Sequence, residues 1–192
     1  MSEKKSGANT YMLAAIGVMS AFAFISNYLS IPIGDITRIH MGNGFCVLGG
    51  LLLGPIAGGL CGGIGAFFFD LTNPLYANEA IITFFTKFVI GFVAGLVAKI
   101  QFKTVKPVVI NSIAAIAGSF SYVVVYMLKS FIKEYYFLKN PMETVLIKLA
   151  AKLGASVFNA VTAVIVAMIL YPVFVMSLRR SGILDKIQKK LK

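Results

Sequence analysis

Polar and charged residues gather at a short corner between two strongly apolar segments, within residues 66–95. The polar side chains of this corner are Asp70, Asn73, Asn78 and Glu79. Pro74 disfavours a helical conformation at the residue before it, Asn73, so we expect one helix to end at the corner and another to begin after it. Carboxylates and amides placed together between two apolar segments are the groups that hydrogen-bond a small polar ligand.

A row of residues with helical spacing follows the corner. Its members, each four positions from the last, are Glu79, Thr83, Lys87, Gly91 and Gly95. Residues at this spacing share one face of a helix. A lysine inside an apolar helix costs about 2.5 to 3.5 kcal/mol if it faces lipid, so we expect Lys87 to face protein or a wet cavity. The corner and the upper row are therefore predicted to form the wall of a small-molecule site, with the glycines admitting a neighbouring helix below it.

The composition indicates an integral membrane protein built from helices. The chain has 192 residues, of which 58% are hydrophobic and 13% charged, and its mean hydropathy is +0.87. The charged residues are too few to cover a water-facing surface of this size. The helical period and the length of the apolar runs argue against a β-barrel, which shows alternating segments of about ten residues. We predict an all-α integral membrane protein.

Residue types suited to a metal or nucleotide site are scarce. The single histidine, His40, excludes a multi-histidine metal cluster. Cys46 and Cys61 lie in apolar segments, where cysteine serves as a small packing residue. Neither G-x-G-x-x-G nor G-x-x-x-x-G-K-[ST] occurs, so the chain has no P-loop for ATP. We predict no cofactor and no metal.

Six apolar segments are predicted to span the membrane in a single domain, residues 1–192. Their approximate bounds are 10–30, 42–54, 56–71, 80–98, 107–128 and 144–178. Residues 42–71 are divided because one helix of that length exceeds the roughly 30 Å hydrocarbon core, and Gly54-Pro55 offers a turn. Residues 31–41 are predicted to be a connecting loop, and the last segment is too long for a straight crossing.

The distribution of basic residues gives the orientation. With six spans, the N-terminal tail, the loop 99–106 and the C-terminal tail share one side and carry 11 of the 18 Lys and Arg residues. Such clusters mark the cytoplasmic side, so both termini are predicted to be cytoplasmic. A single span over residues 42–71 would split these clusters between two sides. The formal charge of +11 therefore needs no nucleic acid to explain it.

This topology places the loops 31–41, 72–80 and 129–143 at one end of the bundle, which we call the mouth. Polar residues in the outer halves of three helices lie below these loops: Lys87, Tyr122, Tyr126, Lys152, Ser156 and Asn159. Three helices with polar faces under polar loops predict a pocket open to the outside. For Lys87 and Asn159, which lie deepest, we favour a functional role over a structural one.

Other residues of this region have structural roles as alternatives. Asp70 could end a helix or pair with Arg38, and Glu79 could cap the next helix, where the dipole favours a carboxylate. Lys148 is predicted to reach the membrane interface with its ammonium group. Tyr122 and Tyr126 are more often packing residues, although their rings could stack on a flat ligand.

Together these features resemble those of the substrate-binding S components of energy-coupling factor (ECF) vitamin transporters. The first helix carries a stripe of small residues, Ala14, Gly17 and Ala21, and the last helix contains Val157-Phe158-Asn159-Ala160, which is similar to the Phe-Asn-Ala of riboflavin-type members. The first-helix pattern in that family is alanine, three residues, alanine. Here the spacing is kept as Gly17-x-x-x-Ala21, which preserves the close packing of small residues.

The resemblance implies a binding subunit for uptake of a vitamin or related micronutrient in the bacterial plasma membrane. It implies partners as well: a transmembrane T component, onto which Ala14, Gly17 and Ala21 dock, and two ATPase subunits that power transport. The substrate-binding residues that it implies are Arg38, Asp70, Asn73, Asn78, Lys87, Tyr126 and Asn159. The ligand stays open, with a pyridine, a pyrimidine or a flavin as examples of a ring with hydrogen-bonding edges.

Two other function classes fit the sequence less well. A stand-alone secondary transporter would need coupling-ion sites, which are usually carboxylates at the midplane, whereas Asp70 and Glu79 lie near the edge. A membrane enzyme would need a metal or a catalytic constellation, which one histidine and no paired acidic motif do not supply. We therefore predict that the protein is not an enzyme, with the secondary transporter as the alternative function.

Overall fold

The computed structural model describes residues 3–33, 37–74, 76–100 and 105–188. Its helices are α1 (Glu3–Tyr28), α2 (Gly42–Leu53), α3 (Pro55–Thr72), α4 (Ala80–Ala98), α5 (Pro107–Ile132), α6 (Met142–Arg180) and α7 (Ile183–Gln188), and its strands are β1 (Ser30–Ile33) and β2 (Thr37–His40). A 3₁₀ turn, Ala77–Glu79, precedes α4, and a π-helical turn, Lys133–Phe137, continues α5.

Five helical segments are long and apolar enough to cross a membrane, and α2 is a shorter apolar helix beside them. The five are Thr10–Tyr28, Pro55–Thr72, Ala77–Ala98, Pro107–Phe137 and Met142–Arg180. The prediction of an all-α membrane protein is confirmed, and the five segments together with α2 are consistent with the six predicted spans. Helix α2 differs from the five longer helices because its 12 residues span only about 18 Å at 1.5 Å per residue.

Helix α2 lies in the centre of the bundle. Ten of its 12 residues are buried, including Val47, Leu48 and Leu53, and it packs against α1, α3, α4 and α6. The break between α2 and α3 lies at Gly54, whose φ of 83° is in the left-handed region that favours glycine. Pro55 then occupies the first turn of α3, where a missing N–H costs no helical hydrogen bond.

Glycines bring α2, α3 and α4 into backbone contact. A Cβ atom placed on Gly91 of α4 would overlap the carbonyl of Gly58 in α3, and one placed on Gly50 of α2 would overlap the carbonyl of Gly91. The glycines of the α4 row therefore have the packing role that their spacing predicts. The polar residues of that row, Glu79, Thr83 and Lys87, lie closer to the mouth than these tightly packed glycines.

The segment predicted as the connecting loop 31–41 contains a β-hairpin instead. β1 and β2 pair antiparallel, with Ser30 opposite His40 and Pro32 opposite Arg38. The physical reason is the content of β-branched residues, Ile and Thr, which favour the extended backbone more strongly than the single proline opposes it. Of the polar residues in the predicted loop, Asp35 lies outside the described residues.

The beginning of α1 and helix α7 lie at the same end of the bundle, opposite the mouth. Near the beginning of α1, the hydroxyl of Tyr11 accepts a hydrogen bond of 3.1 Å from Lys186 in α7. At the other end of α1, the hydroxyl of Tyr28 lies 2.9 Å from that of Thr72, the last residue of α3. This arrangement fits an even number of crossings, as the distribution of basic residues predicts.

Candidate functional site

A polar cavity of about 500 Å³ lies at the mouth, between the β-hairpin, the α3–α4 corner, the end of α5 and the beginning of α6. Its wall includes Thr37, Arg38, His40, Asp70, Tyr76, Glu79, Thr83, Lys87, Tyr122, Tyr126, Lys129, Lys133, Glu134, Lys148 and Lys152. Polar side chains from the hairpin, two connecting segments and four helices, α3 to α6, therefore converge on one space, at the end of the bundle where the topology predicts a pocket. Among the predicted substrate-binding residues, the cavity wall contains Arg38, Asp70, Lys87 and Tyr126.

Arg38 of β2 is held in place from three directions. Its guanidinium lies 3.4 Å from the carboxylate of Asp70, so the predicted alternative in which these residues pair is the one found. The rings of Phe69 and Tyr76 lie 4.3 and 4.5 Å from the guanidinium carbon, within the range of cation–π attraction. Because a packed guanidinium keeps a fixed orientation, Arg38 presents a defined edge of the hairpin to the cavity.

Lys87 lies at the inner end of the cavity and is 3% exposed. Its ammonium group donates to the side-chain oxygen of Asn43, lies 3.3 Å from Nε2 of His40, and lies 4.5 Å from the centre of the Tyr122 ring. The expectation that Lys87 faces protein and a cavity rather than lipid agrees with this position. All three neighbours are neutral or aromatic groups, so its charge is solvated without a contacting carboxylate in the described part of the chain.

His40, at the end of β2, is a neutral imidazole. Burial lowers its pKa well below the usual range, and the positive charges of Lys87 and Arg38 lower that pKa further. Because the Lys87 ammonium can only donate, Nε2 accepts and Nδ1 carries the proton. That Nδ1–H group is buried and has no hydrogen-bond partner among the described residues, and the same is true of the Asn43 amide nitrogen.

Two glutamates near the mouth each contact two lysines. Glu79 contacts Lys129 and Lys133 of the α5 end, so it joins two elements and makes no side-chain cap to α4. Glu134 lies 2.8 Å from Lys148 and 2.9 Å from Lys152. The contacts of Glu79 tie the 3₁₀ turn before α4 to the end of α5. The contacts of Glu134 tie the π-helical turn after α5 to α6. Lys148 therefore contacts a carboxylate, where the sequence predicts a lysine that reaches the membrane interface.

Two tyrosines of α5 give the cavity an aromatic wall. The rings of Tyr122 and Tyr126 are stacked, with centroids 5.3 Å apart and planes 21° apart. The hydroxyl of Tyr126 lies 3.3 Å from that of Thr37 in β2, which connects α5 to the hairpin. An aromatic surface beside hydrogen-bonding groups suits a flat heteroaromatic ligand.

Asn159 supports the site from behind the cavity wall. It is 2% exposed, its side-chain oxygen accepts from the backbone N–H of His40 at 2.9 Å, and its amide nitrogen donates to the backbone carbonyl of Arg38 at 3.0 Å. Both polar atoms thus hold β2 against α6. These contacts give Asn159 a positioning role for Arg38 and His40, and its predicted contact with ligand stays a prediction.

Asn73 and Asn78 are not part of the cavity wall. Asn73 ends α3 in an extended conformation, and its carbonyl accepts hydrogen bonds from the N–H groups of Tyr76 and Ala77. Asn78 lies in the 3₁₀ turn with an exposed side chain. Both residues shape the corner that positions Asp70 and Tyr76, and their role as direct ligand contacts stays a prediction.

Several residues in or behind the cavity wall are not predicted by helical spacing. His40, Asn43 and Glu134 are unremarkable in sequence because their partners are 47, 44 and 14 to 18 positions away. A usable signal exists for Asn43, since an amide near the start of an apolar span needs a partner inside the protein. For Glu134 no such signal exists, because a carboxylate among several lysines is equally typical of a solvated loop.

Away from the mouth, the small-residue stripe of α1 is exposed. Ala14, Gly17 and Ala21 all lie on the outer surface of the bundle, and a Cβ on Gly17 would have no described atom within 4 Å. The opposite face of α1, with Met12, Met19 and Ala23, is buried in the core. The stripe therefore takes no part in holding this chain together.

The model of one protein family, described as the ECF-type riboflavin transporter S component, matches residues 7–176. This match spans nearly all of α1 through most of α6. The chain belongs to this S component family. No curated protein matches the chain. As an S component, the protein is a substrate-binding subunit of a transporter of the vitamin type, and the family is not one of enzymes.

Proposed function

We propose that this S component captures a vitamin on the outer side of a bacterial plasma membrane and hands it to an energising module for uptake. The observation that carries the proposal is the cavity at the mouth, where Arg38, Lys87 and the Tyr122–Tyr126 pair surround about 500 Å³. That volume lies within the range of about 300 to 1,000 Å³ typical of small-molecule sites. The position of the cavity at the end of the bundle opposite the beginning of α1 and α7 supports access from outside.

A flavin is the first ligand to test. The matched family is described by riboflavin transport, and stacked tyrosines offer a face to an extended ring system. Thr83 and Thr86 of α4 and Ser130 of α5 add neutral hydrogen-bonding groups to the wall. These groups suit the edges of a ring that carries both donors and acceptors.

For transport, we propose that the S component docks through Ala14, Gly17 and Ala21 onto a T component, which two ATPases drive. The support is an exposed row of small residues on a helix whose other face is buried, because small residues allow close helix packing within a bilayer. The chain has no P-loop, so ATP hydrolysis would come from the partner subunits.

The binding function is tested by thermal shift of the purified protein in a neutral detergent against B vitamins and their precursors. A ligand that binds only the folded state stabilises it, by about 2.7 kcal/mol at a ligand concentration of 100 times the Kd, and therefore raises the melting temperature. We expect one compound to raise it, and the flavins are tested first. A well-folded sample that responds to no member of the panel would contradict a role in vitamin capture.

Replacing Gly17 with leucine is expected to abolish uptake while leaving ligand affinity within about twofold. The added side chain projects from the exposed stripe and would separate α1 from a partner helix. Uptake is measured in cells that supply the T component and the ATPases, and association by co-purification. Gly154→Leu is the matched control because Gly154 is also exposed with open space around it, but lies on α6. Normal association of the Gly17 variant would contradict the docking surface, and uptake without the partners would indicate a stand-alone transporter.

A further inference from the structure

Positive charge exceeds negative charge in the wall of the cavity. The basic residues of the wall are Arg38, Lys87, Lys129, Lys133, Lys148 and Lys152. Its acidic residues are Asp70, Glu79 and Glu134. With His40 neutral, six positive groups face three negative ones, which leaves a surplus of three positive charges around one small space.

The three carboxylates are already occupied by protein contacts. Asp70 contacts Arg38, Glu79 contacts two lysines, and Glu134 contacts two lysines. A ligand cation would therefore have to displace a protein cation from its partner. An anion, in contrast, would meet basic groups that outnumber the carboxylates.

The inner end of the cavity is rich in donors. Lys87 has an ammonium group that contacts only neutral or aromatic groups among the described residues. Next to it, the buried Nδ1–H of His40, another residue of the wall, has no acceptor within the described part of the chain, and the same is true of the amide nitrogen of Asn43, which lies behind the wall. Buried donors without acceptors are costly, and charge-assisted hydrogen bonds to an anion are about twice as strong as neutral ones.

We propose that the ligand of this site is an organic anion: a heteroaromatic vitamin or precursor that carries a carboxylate or phosphate, with the anionic group held at the Lys87 end. This inference rests on the proposed function, because it specifies the charge of the captured molecule. The ring lies against Tyr122 and Tyr126. Glu79 and Glu134 each contact two lysines, so one positive charge at each glutamate is not balanced. These charges add to the positive potential that attracts the anion to the cavity.

The test compares neutral and anionic members of matched pairs. Dissociation constants are measured in neutral detergent for riboflavin and riboflavin 5′-phosphate, pyridoxine and pyridoxine 5′-phosphate, and nicotinamide and nicotinate. In the pair that binds, we expect the anionic member to bind at least tenfold more tightly. If the neutral member binds equally or better, the inference is overturned while the binding function stands. If no member of any pair binds, the inference is overturned, and the binding function is overturned as well only if the wider vitamin panel gives no thermal shift.

Two variants locate the anionic group. Lys87→Met removes the charge and keeps all but the last atom of the side chain, so it should weaken the anionic member at least tenfold and the neutral member by much less. Lys133→Gln, with a side chain that is 45% exposed, removes a charge at the rim without burying a new group, and should weaken the anion a few-fold. If the Lys87 variant does not fold, unchanged anion affinity in Lys133→Gln overturns the inference. Lys186→Met, at the opposite end of the bundle, is the control.

A phospholipid headgroup is a second source of the same anionic chemistry. Dioleoyl phosphatidylglycerol and uncharged dioleoyl phosphatidylcholine are therefore added separately to the detergent-purified protein. We expect neither lipid to compete with the anionic vitamin. If phosphatidylglycerol competes but phosphatidylcholine does not, and this competition is lost in Lys87→Met, the assignment of the site to a soluble anion is overturned.

Discussion

Replacing Asn159 with alanine is expected to weaken ligand binding about 10- to 100-fold. The substitution leaves the backbone N–H of His40 and the carbonyl of Arg38 without their partner, and each buried group left unsatisfied costs about 1 to 3 kcal/mol. Since each 1.4 kcal/mol corresponds to about a tenfold change in affinity, release of β2 from α6 is enough for this loss. The measurement is the Kd for riboflavin, or for the panel vitamin that gives the largest thermal shift.

Ser156→Ala is the matched control for this prediction. Ser156 lies one turn earlier on the same helix and is 1% exposed, but its hydroxyl donates only to the carbonyl of Leu153 within α6. We expect its affinity to stay within about twofold of the unsubstituted protein. If Asn159→Ala is folded and binds as well as Ser156→Ala does, the hairpin does not depend on the Asn159 amide.

Replacing Gly91 with leucine is expected to prevent folding. A Cβ at this position would overlap the carbonyl of Gly58, which is backbone and cannot rotate away as a side chain can. The cost should exceed the about 1 to 3 kcal/mol typical of an overpacked core, because α3 and α4 must separate to admit the side chain. The measurements are the yield of monodisperse protein in detergent and its melting temperature.

Gly154→Leu distinguishes this steric effect from the general effect of adding a leucine to a membrane helix. A Cβ on Gly154 would meet no atom within 4 Å among the described residues, so this variant should fold with nearly unchanged yield and melting temperature. Equal yields and melting temperatures for the two leucine variants would show that α3 and α4 are not held in backbone contact at Gly91.

The helical part of the fold is predictable because local pattern determines it. The spacing of Thr83, Lys87 and Gly91 places them on one face, and the structure buries that face. The β-hairpin is not predictable in the same way. Four-residue strands give too short a pattern, and Pro32 within the segment argues against a strand, so pairing in three dimensions decides the outcome.

The residues of the candidate site likewise differ in whether local pattern predicts them. Lys87 is predictable because a charge in an apolar helix requires a polar environment wherever it lies. The partners that supply this environment, His40 and Asn43, are more than 40 positions away, and only the packing of the hairpin and α2 against α4 identifies them. Asn159 shows a different limit: its depth indicates a role, but whether an amide contacts ligand or backbone depends on geometry that spacing does not contain.

Helix α2 is almost entirely buried in the bundle, so protein groups surround most of its side chains. This explains how Asn43 can be fully buried in a membrane protein, since its oxygen is met by Lys87 and not by hydrocarbon. It also means that a change in bilayer thickness or fluidity acts on the outer helices first. The inner end of the cavity, formed by the buried face of α4 and supported by the contact of Lys87 with Asn43 of α2, is therefore shielded from direct contact with the membrane.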